Sequence, residues 1–132
     1  MRQALRDTII DQLRSATRFA DYWIDKFDDE ADAWVEEHLS AADPSMIVSY
    51  AGTREAPGDE NDPGRMGAVH VVVFERSEDA GLASIDAIEG AVHGLRTTVE
   101  GEVYRWRFRQ DSFVGEINAW YQYEVQLMYE LL

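Results

Sequence analysis

The stretch YRWRFRQDSFVGEINAWYQYEVQLMYEL, residues 104–131, decides the fold. Tyr104, Trp106 and Phe108 alternate with Arg105, Arg107 and Arg109, which puts aromatic rings on one face of a strand and guanidinium groups on the other. A turn-rich passage around Gly115 and Asn118 follows. Beyond it Tyr121, Tyr123, Val125, Leu127, Tyr129 and Leu131 share one face, and Gln122, Glu124, Gln126 and Glu130 the other. A period of two sustained this long specifies two half-buried strands. Trp120 and Met128 fall on the polar face, where contact with another subunit is a natural use for them. Three like charges on one strand face repel each other, so an acidic group should stand opposite. Glu124 and Glu130 can supply it as a ladder within the chain; the alternative is that Arg105, Arg107 and Arg109 face the acidic surface of another subunit or partner.

Upstream of this pair, Leu5, Ile9, Ile10 and Leu13 make a one-faced helix over residues 4–16. Residues 19–27 fit a helix face and a short strand about equally. From Ala31 to Ala42 apolar residues recur at helical steps behind Asp28, Asp29 and Glu30, predicting a second helix over 28–42 that ends before Pro44. Residues 46–50 predict a strand, and 57–64 a long exposed loop of turn formers and like charges. Residues 69–74 are apolar on both faces except for His70, as in a strand at the middle of a sheet. Leu82, Ile85, Ile88, Val92 and Leu95 predict a helix over 82–95, preceded by Ser77, Glu78 and Asp79. The sum is a single α+β domain over 1–132. Its expected core is a mostly antiparallel sheet of about four strands with two to three helices on one face.

The chain has 132 residues, with 26 Asp and Glu against 12 Lys and Arg, a formal charge of −14. That sign repels phosphate backbones and anionic membranes, so nucleic acid is a poor direct ligand. With no cysteine there is no disulfide framework, thiolate nucleophile or thiolate metal site. Lys26 is the only lysine among twelve basic residues. This skew fits either a salt-saturated cytoplasm or an ordinary acidic protein. Residues 1–16 are charged and amphipathic, unlike a signal peptide, and no segment approaches the roughly 18 apolar residues of a membrane span.

The familiar catalytic patterns are absent: no phosphate loop, no G-x-G-x-x-G, no G-x-S-x-G and no H-E-x-x-H. His38, His70 and His93 stand in three separate elements without ligand spacing. Asp59 to His70 superficially resembles a calcium loop, but Pro63 takes the fifth place and His70 the twelfth, where a bidentate carboxylate belongs. The expectation is a protein that is not an enzyme and needs no cofactor or metal.

The pattern resembles the tail terminator, or tail-completion, proteins of long-tailed viruses. It does so through the helix over 4–16, the strand and polar loop over 46–66 leading into Gly67-Ala68-Val69-His70-Val71-Val72-Val73-Phe74, the helix over 82–95, and the closing aromatic strand pair. The resemblance implies a homo-hexameric ring in the virion, assembled in the host cytoplasm, that caps the tail tube and joins it to the neck or connector protein. DNA would pass through without specific binding. The sheet would carry subunit contacts through Arg105, Arg107, Arg109, Trp120 and Met128. The loop, with Arg54, Asp59, Glu60, Asp62 and Arg65 as candidate contacts, would reach the tube. The acidity and single lysine fit a halophilic host. Two rivals from other classes are an acidic DNA-mimic inhibitor of a nucleic-acid-binding protein and a small-molecule enzyme or ligand-binding domain.

Overall fold

The computed structural model describes residues 1–27, 43–55 and 65–132. The helix expected over 28–42 and the loop over 57–64, with Asp59, Glu60 and Asp62, lie outside the described residues. In chain order the elements are α1 (Arg2–Arg14), a 3-10 turn (Thr17–Phe19), β1 (Trp23–Lys26), β2 (Ser45–Glu55), β3 (Arg65–Glu75), α2 (Glu78–Val92), β4 (Arg96–Val99), β5 (Glu102–Ile117) and β6 (Trp120–Leu131).

Helix α1 buries Leu5, Ile9, Ile10 and Leu13, the stripe set by its spacing. At its last turn the Arg14 Nη2 donates to the Ile24 carbonyl at 2.6 Å, which ties the following chain into an edge strand. In α2 the Ser77 hydroxyl accepts from the Ala80 amide at 3.1 Å, and Glu78 and Asp79 occupy the first turn, where carboxylates favour the helix dipole. Gly81 is required by packing rather than by backbone freedom. A Cβ there would meet the Tyr123 ring, with Cζ only 2.8 Å away. After the helix, Gly94 at φ +84° turns the chain, and its amide donates to the Trp106 carbonyl at 2.9 Å.

The strands form one sheet in the order β1-β2-β3-β6-β5-β4, with β3 and β6 at its centre. Strand β1 runs parallel to β2; the other pairs are antiparallel. The inner face carries Met46, Val48, Val69, Val71, Val73, Tyr104, Trp106, Tyr123, Val125, Leu127 and Tyr129, which pack with α1 and α2 into one core. Trp106 is fully buried, and its indole N–H donates to the Thr97 hydroxyl at 2.8 Å. On the outer face a second, small cluster joins Ile47, Phe74 and Trp120.

The expected four-stranded antiparallel sheet with helices on one face is therefore corrected: the structure is a six-stranded mixed sheet curled into a half-barrel, with two described helices. Its two extra strands explain part of the difference. Trp23–Lys26 and Arg96–Val99 are each four residues long, too short to display a period. The curl explains the rest. Register shifts at Tyr50/Gly52 in β2 and at Phe108/Gln110 and Phe113/Gly115 in β5 add unpaired residues that bend and twist a strand, so the sheet wraps its core. Strand β5 also runs on through Gly115, and the turn is only Asn118 and Ala119. No helix among the described residues is long and apolar enough to cross a membrane.

Candidate functional site

Alternation in β5 and β6 points one set of side chains away from the core. Register then gathers them across strands. One transverse row runs Arg54, Met66, Glu130, Arg105, Arg96, and the next runs Ala68, Met128, Arg107. For Arg54 only the backbone position is described. Between these rows lies a groove of about 370 Å³ lined by Met66, Arg105, Arg107, Arg109, Met128 and Glu130.

Glu130 is the hub of this groove. Its Oε1 accepts from Nε of Arg105 at 3.0 Å, from the same residue's Nη2, and from Nη2 of Arg107 at 3.0 Å. The Arg105 hydrogen bonds, seconded by the Arg107 charge, hold the Glu130 carboxyl below its ordinary range against the opposing effect of burial. Arg109 enters the register shift of β5, and its Nη1 approaches the Met128 sulfur at 3.8 Å. Arg109 and Arg96 have no carboxylate partner among the described residues. The other acid available for an internal ladder, Glu124, is used elsewhere: its Oε1 lies 2.9 Å from His70 Nδ1. Two guanidinium groups thus share one carboxylate, and two more beside them have none among the described residues, on the outer face of a strongly acidic chain.

Of the other residues singled out in the sequence, Met128 is buried at the floor of the groove. Trp120 stands on the same face but at the far end of the sheet, fully buried with Ile47 and Phe74, the Arg76 guanidinium 3.6 Å above its ring. Arg65 is not in the groove; it meets Glu102 at 3.5 Å and lines a smaller recess of about 230 Å³ with Met1, Tyr50, Thr53 and Tyr104. Sequence reasoning missed one groove residue, Met66, and Arg96, the register neighbour of Arg105. Arg96 arrives through β4, whose Arg-Thr-Thr-Val carries no alternation, and Met66 through the first residues of β3. Gly94 and Gly101 bracketing a β-favouring Thr97-Thr98-Val99 were the available signal for β4.

Chemistry is sparse elsewhere. Among the described residues no group of three His, Asp or Glu could hold a metal ion. His93 accepts from the Phe108 amide at 3.1 Å, and Glu75, buried at the end of β3, is held by hydroxyls of Tyr22 and Ser84. The latter network joins the N-terminal turn to α2, with Arg18 Nε donating to Ser84 at 3.0 Å. Beyond Phe108 the outer edge of β5 has no strand partner among the described residues, and Phe113, Val114 and Ile117 are exposed there.

No family model and no curated protein matches the chain. Among solved structures, a chain from the virion of a native gene transfer agent particle has the same fold. It is 12% identical with a TM-score of 0.69, over 98% of this chain and 95% of that one. A second solved structure is 16% identical with a TM-score of 0.60, over 99% of this chain and 92% of its own. At these identities the likeness is one of fold.

Proposed function

We propose that this chain is a structural protein of a virion or virus-like particle, and that within the particle it forms a ring, hexameric in the simplest case. The ring caps the tail tube and joins it to the neck or connector protein. The observation that carries this is the end-to-end match of its fold to a chain of the gene transfer agent virion. Physical chemistry supports the role in two further ways. A net charge of −14 lets DNA pass a ring without adhering to it. The arginine groove and the exposed distal β5 give the chain surfaces suited to neighbours rather than to a small-molecule substrate. On this reading the chain is no enzyme, needs no cofactor, resides at the tail end of the particle and is assembled in the host cytoplasm. Its carboxylate-rich surface and single lysine suit a host with a saline cytoplasm.

The DNA-mimic alternative requires a carboxylate face directed at a basic partner. The built groove of this chain is cationic, which counts against that reading. Native mass spectrometry with negative-stain imaging of the purified chain tests the proposal. A closed ring is expected at micromolar concentration, and a strict monomer that gives no rings with tail-tube protein would sink it.

A further inference from the structure

Helix α2 buries Gly81, Ser84, Ile85, Ile88 and Val92, and turns Glu78, Asp79, Leu82, Asp86 and Glu89 to solvent. At 100° per residue these five fall within one arc of about 100°. None of the four carboxylates has an ion pair among the described residues, and the helix holds no basic residue at its last turn. In the middle of this acidic ridge stands Leu82, 46% exposed.

The arginine groove is its counterpart in sign, in length and in composition. Arg105 and Arg107 share the Glu130 carboxylate, Arg109 beside them has no carboxylate partner among the described residues, and the groove floor is the thioether of Met128 beside Met66. Residues 105–109 of an extended strand span about 13 Å at ~3.3 Å per residue. Residues 79–89 of a helix span about 15 Å at 1.5 Å per residue. An apolar knob flanked by acids thus matches an apolar floor flanked by guanidinium groups.

We infer that the α2 ridge of one copy docks in the arginine groove of a second copy of this chain. Within one copy the two surfaces cannot meet, because α2 packs on the inner face of the sheet, with Gly81 against Tyr123, while the groove lies on the outer face. The contact is therefore heterologous. Each copy has one ridge and one groove to offer, and repetition closes a ring or extends a stack. This inference rests on the ring proposed above and names the surfaces that would build it.

Charge-swapped chains test it. One carries Asp86→Arg with Glu89→Arg, the other Arg107→Glu with Arg109→Glu. All four residues are exposed, so circular dichroism should match the parent, and melting should fall only slightly, through the lost Arg107–Glu130 pair. By native mass spectrometry each variant alone should lose assembly, with at least a roughly tenfold rise in the concentration needed. An equimolar mixture should recover it, because every ridge in an alternating ring then meets a groove of opposite sign. If the parent assembles and the variants assemble equally well, or if the folded variants fail to rescue each other, the docking is overturned while the ring survives. A parent that never assembles overturns both. Capture of a duplex DNA fragment by the parent, lost in the Arg107→Glu chain, would assign the groove to nucleic acid and overturn the inference.

Discussion

The two faces of the β5–β6 ribbon share one backbone and differ in almost everything else. The inner face carries Tyr104, Trp106, Tyr123, Val125, Leu127 and Tyr129, all buried. The outer face, one residue out of step, carries Arg105, Arg107, Glu124, Gln126 and Glu130. On the inner face energy comes from area removed from water, and a vacancy has no substitute. On the outer face each interaction competes with water and salt, so it adds little to folding and can be given to a neighbour instead. One strand pair thus separates the residues that hold the fold from those available to recognise something.

Substitutions should expose this separation, starting with the largest effect. Trp106→Ala empties a fully buried indole site and leaves the Thr97 hydroxyl without its donor, so urea unfolding should show a loss of about 3–5 kcal/mol. A loss under 1 kcal/mol would mean that the inner face is not the core described. Gly81→Ala drives a methyl into the Tyr123 ring and should cost about 1–3 kcal/mol in the same experiment, because ring and helix must part.

On the outer face the scale falls. Glu130→Gln removes the carboxylate that holds Arg105 and Arg107, and should cost at most about 1 kcal/mol at neutral pH given screening by solvent. Its dependence on pH is more telling than its size. The folded carboxyl is held below its ordinary value of 4.5, so its contribution is whole above that value and lost as pH falls through the lower folded one. Melting curves of parent and variant should therefore converge in acid; a gap that widens there would refute the assignment. Smallest of all, Arg109→Ala should change the melting free energy by no more than about 0.5 kcal/mol, since among the described residues its guanidinium meets the Met128 sulfur and no carboxylate. If that variant unfolded readily, the outer face would be part of the core after all.

Those predictions concern the ribbon, which is also where the sequence was most legible. Alternation over residues 104–109 and 121–131 names both faces, and helical spacing places α1 and α2 within a few residues. The physical reason is length: a period must repeat to be seen. Strands β1 and β4, at four residues each, never repeat it, and the parallel partner of β2 could not be told from a helix turn around Tyr22 and Trp23. Curl was hidden for another cause. A bulge is one extra residue in the register between two strands, and no single-strand pattern encodes it. At the site, Arg105, Arg107 and Met128 were legible and do come together. Arg96 was not, because it joins them across β4. Trp120 had its face right by parity, but parity says nothing about coverage, and it lies buried beneath Arg76 rather than exposed.

The two-residue turn at Asn118 and Ala119, both at positive φ, has a consequence in time. Such turns match the twist of a hairpin, and hairpins of this kind close within microseconds, long before distant strands can find each other. Yet β6, half of that hairpin, must also slide beside β3, which lies some fifty residues earlier and has waited with one side of its backbone open. During synthesis the centre of the sheet is completed by a strand made after β2, β3 and α2. Until it emerges, β3 presents Val69, Val71 and Val73 on an unfinished edge, so a ribosome stalled within β6 would release a chain poised to aggregate rather than a shorter fold.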